Sequence, residues 1–236
     1  MGRVCGARIG WRLRRPFRRA RGLRHGVVGS TGTSGTPNLR EIARARLATY
    51  EPAAMPLASW RPAAVLLLLY SVGGAEHMLF TLRTDTVEHH KGQISFPGGA
   101  VHEADADLET TALRETYEEV GVDPPAVEII GRLDDMITSS DYRVTPFVGI
   151  LHGGPYEFVP SPFEVAKILE VPLLHLLNPA NFVEDRRERD GHFVVTPAYN
   201  FGEHRIWGAT ARMLSGFLEL IGSGSSPSSR RREVSS

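Results

Sequence analysis

Gly98-Gly99, followed by Arg114-Glu115-Thr116-Tyr117-Glu118-Glu119-Val120-Gly121-Val122, is the stretch on which the reading of this chain turns. It places three carboxylates, Glu115, Glu118 and Glu119, within five residues of one predicted helix. Residues three and four apart on a helix share a face, so all three are expected to point the same way. Bare carboxylates side by side repel one another. A hard divalent cation bound between them removes the repulsion, and oxygen-only ligation suits Mg²⁺ or Mn²⁺. The competing reading is a solvated acidic face, which an isolated Glu-x-x-Glu-Glu would favour. Phe96-Pro97-Gly98-Gly99 upstream and Gly121-Val122 downstream turn the balance toward the cation. Leu113, Tyr117 and Val120 lie at i, i+4 and i+7 and are expected to anchor the opposite side in a core. Arg114, four before Glu118, is placed to hold that carboxylate. Asp105 or Asp107 can cap the helix start, and Gly121 suits its C-terminal cap.

The pattern resembles the Nudix box, G-x5-E-x7-R-E-U-x-E-E-x-G-U with U apolar. It matches from Arg114 to Val122 and at Gly99. Asp105 stands where the box has its first Glu, eight residues rather than seven separate it from Arg114, and Thr116 takes an apolar position. The extra residue lies ahead of the Glu115/Glu118/Glu119 spacing and leaves it intact.

A second resemblance lies upstream. Leu79-Phe80-Thr81-Leu82-Arg83 through His90-Lys91-Gly92-Gln93-Ile94-Ser95-Phe96-Pro97-Gly98-Gly99 is similar to the motif of the coenzyme A pyrophosphatase branch of Nudix hydrolases. Arg83, His90, Gly92, Ile94 and Phe96 to Gly99 fall at the right spacing. Glu88 stands where the motif has a second arginine, and Thr84 where it has a small residue.

The resemblance implies an α/β fold, the Nudix α/β/α sandwich with a mixed sheet. It implies a metal-dependent diphosphatase that cleaves coenzyme A or acyl-CoA to 3′,5′-ADP and a 4′-phosphopantetheine. Two alternatives stand beside it. One is the same chemistry on ADP-ribose, NADH or a nucleoside triphosphate, which Glu88 favours. The other is a non-catalytic nucleotide-binding protein, which the intact acidic set disfavours.

The implied metal residues are the Gly99 carbonyl, Glu115, Glu118 and Glu119, holding Mg²⁺ or Mn²⁺. The implied catalytic residues are Glu115, Glu164 and Arg114, with Glu115 and Glu164 as rival general bases. Glu164 is put forward because Pro160 and Pro162 make its segment a loop; a surface glutamate near a helix start is the rival reading. Arg83, His90 and Gly92 are the implied substrate contacts. A guanidinium binds phosphate bidentately, though a plain salt bridge also explains Arg83. His89 and His90 are not expected to share a metal, because neighbours on a strand face opposite ways.

Composition bounds the rest. Apolar content of 42% and charged content of 23% suit a globular protein. Formal net charge is zero, but the first 26 residues carry nine arginines and no acid. The remainder is therefore acidic, which fits a cytoplasmic enzyme and argues against nucleic acid as partner of the core. Cys5 is the only cysteine, so no internal disulfide forms. The apolar run Ala63 to Tyr70 is far short of the ~20 residues that span a membrane and reads as a buried strand. The expected partner is a small coenzyme A-like nucleotide, and the expected state a monomer or homodimer.

Residues 1–36 read as a basic, Gly/Ser-rich disordered extension, 37–222 as the hydrolase domain and 223–236 as a disordered tail. The extension is open to three readings: a basic arm, a transit-like leader, or a functionless or artefactual segment with initiation near Val27 or Val28. The last is preferred. Between the tails, helices are expected at 39–50, 107–120 and 209–221, and the runs 163–169 and 171–177 are expected to approach and include a short helix. Strands are expected at 63–72, 77–83, 93–96, 127–133, 142–151, 182–184, 193–201 and 204–207, with turns at Gly73-Gly74 and Gly98-Gly99.

Overall fold

Four consecutive leucines, Leu66 to Leu69, are fully enclosed, which requires a strand covered on both faces. In the computed structural model, which describes residues 38–56, 59–84, 92–154, 156–189 and 192–222, they lie in β1 (Arg61–Val72) at the centre of a mixed sheet. β1 turns at Gly73-Gly74, both at positive φ, into antiparallel β2 (Ala75–Arg83). In chain order there follow the short β3 (Ile94–Ser95), which pairs with β2, then β4 (Gly98–Ala100), α2 (Leu108–Val120), β5 (Val127–Arg132), β6 (Met136–Ile137) and β7 (Tyr142–Leu151). β7 pairs parallel with β1 and antiparallel with β5 and β6. β8 (Val165–Pro172) joins the sheet antiparallel to β2 and leads directly into α3 (Leu173–Leu177). β9 (Phe182–Arg189), β10 (His192–Phe201) and β11 (His204–Ile206) form a separate three-stranded antiparallel sheet.

Side chains alternate across β1 and divide the interior into two cores. Ala64, Leu66, Leu68 and Tyr70 meet Ala112, Val120 and Val122 of the α2 region, together with Leu79, Phe147 and Leu151. Ala63, Leu67 and Leu69 face the other way, toward α1 (Leu39–Leu47), α3 and α4 (Gly208–Gly222), where Ala43, Leu47, Leu214, Phe217 and Leu218 are buried. Helices on both faces of a mixed sheet give the α/β/α sandwich expected from the sequence.

Three expectations are corrected. Gly98-Gly99 is not a turn but begins β4, antiparallel to Ala63–Val65. α2 is anchored by Ala112, Thr116 and Val120, not by Tyr117, which is 45% exposed. The inward stripe runs at i, i+4, i+8 through Thr116, whose hydroxyl donates to the Ala112 carbonyl at 2.7 Å and so enters the core without an unpaired polar group. β9 continues to Arg189 through a charged run, because antiparallel pairing with β10 stabilises backbone that the composition alone would place in a loop. The readings for 1–36, 223–236, Glu88, His89 and His90 fall outside the described residues. No helix among the described residues is long and apolar enough to cross a membrane.

Candidate active site

α2 is held rigidly at both ends. Asp107 caps its start, accepting from the Thr110 backbone N–H at 2.7 Å and from the Thr110 hydroxyl at 2.8 Å. Gly121 ends it in the left-handed region, φ 75°. The segment from Tyr156 to Glu164 then runs past the helix terminus. The Val159 and Ser161 amides donate to the Val120 and Glu119 carbonyls at 2.9 and 2.8 Å, and the Tyr156 hydroxyl donates to the Gly121 carbonyl at 3.1 Å. Carbonyls that a helix end leaves unpaired thus tie the Glu164 loop to the acidic helix. The loop is fixed again at its far side, where the Thr84 amide donates to the Glu164 carbonyl at 3.0 Å and the Thr84 hydroxyl to the Phe163 carbonyl at 2.8 Å.

Arg114 organises the outer half of the acidic face. Its guanidinium grips Asp105 bidentately, at 2.8 and 3.0 Å, and also donates to Glu115 at 2.8 Å, Glu118 at 3.0 Å and the Ala100 carbonyl at 3.2 Å. Asp105 further accepts from the His102 amide and the Thr111 hydroxyl, both at 2.9 Å. The arginine beside it holds the Asp105 carboxyl well below the usual carboxylate range. Despite the extra residue in the preceding loop, Asp105 is therefore the principal partner of Arg114.

The three glutamates differ in depth. Glu118 is exposed, Glu115 half-buried and Glu119 enclosed, at 2% exposure. Burial raises the Glu115 carboxyl, against the opposing pull of Arg114. Burial pushes Glu119 up to about 8; Glu115 and Glu164 add to the rise, while Arg83 and the Gly98 amide oppose it. Glu164 thus acts electrostatically on the same site as Glu115 and Glu119. On Glu119, the Gly98 amide donates to Oε2 at 3.3 Å and Arg83 Nη1 to Oε1 at 3.5 Å.

Glycine is demanded at two successive positions. A Cβ on Gly98 would lie 2.3 Å from the Ala64 carbonyl oxygen, and one on Gly99 would lie 2.6 Å from the Glu115 carboxyl carbon. The bare backbone edge of β4 is what lets Glu115 lie against Gly99. Carboxylate oxygens, a backbone edge and two deeply set acids fit a hard divalent cation. The expected set is not a ready-made cage, however: no three acidic, His or Cys side chains among the described residues already converge on one point. Arg114 instead gathers Glu115 and Glu118, and Arg83 approaches Glu119.

Of the sequence-predicted residues, Arg83, Gly99, Arg114, Glu115, Glu118, Glu119 and Glu164 are brought to this one region. Gly92 adopts φ 64° just ahead of β3, and His90 lies outside the described residues. The sequence reading missed the Arg83–Glu119 contact and the amides of Val159 and Ser161. Both depend on encounters between segments more than thirty residues apart, which no local pattern signals.

With this geometry the chain belongs to the Nudix family: the NUDIX domain matches residues 60–192. It is a Nudix-type diphosphatase. Among its relatives, the mitochondrial coenzyme A diphosphatase NUDT8 of Homo sapiens is 39% identical over 165 residues, 69% of this chain and 70% of that protein. The NUDT8 of Mus musculus is 36% identical over 167 residues, covering 69% of this chain and 79% of its own length. The uncharacterized Nudix hydrolase NudL of Photorhabdus laumondii is 38% identical over 144 residues, 61% of this chain and 76% of that protein.

Proposed function

We propose that this protein hydrolyses the diphosphate of coenzyme A or an acyl-CoA, yielding 3′,5′-ADP and an (acyl) 4′-phosphopantetheine. The observation that carries the reading is the packing of Glu115 against the bare edge of Gly99 beside the enclosed Glu119. The likeness to coenzyme A diphosphatases supplies the substrate class. Glu115, Glu118, Glu119 and the Gly99 carbonyl would hold the divalent cation, Mg²⁺ or Mn²⁺. When bound, such a cation neutralises diphosphate charge and acidifies water.

The chain's own groups divide the remaining work. Arg114 holds Glu115 and Glu118 together through its Nη1. Glu115 and Glu164 are the rival general bases for the attacking water; the loop that carries Glu164, tied to the acidic helix, supports the second. Arg83 would supply the guanidinium for phosphate oxygens, and His90 and Gly92 are carried as substrate contacts by their place in the motif.

One substrate panel tests this: coenzyme A, acetyl-CoA, ADP-ribose, NADH and nucleoside triphosphates with Mg²⁺ or Mn²⁺, the products identified by mass. 3′,5′-ADP from coenzyme A at the highest kcat/KM supports the reading; preference for ADP-ribose or NADH overturns it. Glu88, acidic where the family motif is basic, favours that second outcome. If coenzyme A is nevertheless the substrate, kcat/KM for coenzyme A and 3′-dephospho-coenzyme A should differ by less than about tenfold, for want of that cation.

A further inference from the structure

The site contains two arginines, and they are committed to very different degrees. Arg114 spends its donors on three carboxylates and a carbonyl, at 2.8 to 3.2 Å. Arg83, the last residue of β2, carries the same five donors. The one described contact of its guanidinium is the 3.5 Å approach of Nη1 to Glu119 Oε1. Its Nε is enclosed and finds no hydrogen-bond partner among the described residues. A settled arginine–carboxylate pair is short and bidentate; this one is neither. Glu119, by contrast, is fixed: it is enclosed, and its Oε2 accepts from the Gly98 backbone. The oxygen that Arg83 approaches is therefore the one left for another cation.

We propose that Arg83 and the divalent cation compete for Glu119 Oε1, so that cation binding releases the Arg83 guanidinium to the phosphate oxygens of the substrate. The two cannot sit on one carboxylate oxygen without strong like-charge repulsion in an enclosed site. Linkage makes the effect reciprocal: whatever Arg83 contributes to neutralising Glu119, it subtracts from metal affinity. Arg83 thus couples metal loading to substrate capture, a positioning role beyond that of a plain phosphate ligand. The inference rests on Glu119 being a metal ligand, as read above.

Mn²⁺ titration in the absence of substrate, by calorimetry or by the electron paramagnetic resonance of free Mn²⁺, separates the two. Arg83→Gln should bind Mn²⁺ more tightly than wild type by about fivefold or more, while KM for coenzyme A rises by about tenfold. Arg83→Lys keeps the positive charge but on a shorter, single-headed chain that reaches Glu119 less closely, and should give a smaller gain in the same direction. It carries the test should Arg83→Gln not fold, as judged by circular dichroism. A gain in metal affinity is not a result that structural damage produces. Glu119→Gln is the control: if it binds Mn²⁺ as wild type does, the metal reading itself fails. If Glu119→Gln weakens Mn²⁺ while the Arg83 variants bind it no more tightly than wild type, the competition is overturned.

Discussion

At the residue scale, Glu119 on α2 and Asp105 in the loop before it show two fates of a carboxylate. Glu119 is buried with only partial compensation, whereas Asp105 is buried against a bidentate guanidinium. Glu119→Gln should therefore leave the fold intact and cut kcat by about 100-fold or more, roughly 3 kcal/mol of barrier, and excess chelator should abolish wild-type turnover. Full activity in chelator would remove the metal from the mechanism. Asp105→Asn should instead reduce stability, by about 2 kcal/mol, because it leaves Arg114 without its main partner. The sign of the pH dependence follows from the direction of the shift. Asp105 titrates below its ordinary value of 3.8 in the folded protein, so the pair stabilises fully above that value and is lost as pH falls beneath it. In urea unfolding, the advantage of wild type over Asp105→Asn should be constant near neutrality and shrink below about pH 4.

At the scale of the element, β4 carries two glycines with separate duties. Gly98 faces backbone: an added Cβ would meet the Ala64 carbonyl and the Val65 Cα, at 2.3 and 2.6 Å, neither of which can turn aside. Gly99 faces only the end of the Glu115 side chain, which can. Gly98→Ala should thus lower unfolding free energy by about 3 kcal/mol, through lost pairing with β1. Gly99→Ala should keep the melting temperature within a few degrees yet reduce kcat/KM by about 100-fold, because the Glu115 carboxylate is pushed from its position. Thermal unfolding and steady-state kinetics on the two variants distinguish these outcomes; equal loss of stability in both would contradict the division.

For the molecule as a whole, the sheet with helices on both faces forms an interior that runs from Leu39 to Ile221, and the composition of residues 1–36 offers no core-forming apolar pattern. Asn38 already caps α1 by accepting from the Glu41 amide at 3.3 Å. A chain beginning at Pro37 should consequently retain the melting temperature and kcat/KM of the full-length protein. A large fall in either would assign the arginine-rich segment to the fold or the site.

Much of this was legible in the sequence because it is local. The acidic triplet, Arg114 four residues before Glu118, the Asp107 cap and the Gly121 terminus lie within one helix, where 3.6-residue periodicity alone sets proximity. The leucine run of β1 and the Gly73-Gly74 turn are equally local, as is the family likeness of the motif. Periodicity left the face of α2 that enters the core ambiguous, since Thr116 is polar by composition and becomes compatible with burial only by bonding within its own helix. Only the tertiary structure decided the rest. It placed Gly98-Gly99 as a strand against β1, gave Asp105 to Arg114 across an irregular loop, brought Arg83 to Glu119, and tied the Glu164 loop to the end of α2. Except for Asp105 and Arg114, nine residues apart across a loop whose path periodicity does not set, each is an encounter between segments distant in the chain. The sheet register and the unpaired carbonyls of a helix end specify those distant contacts, and neither exists until the chain has folded.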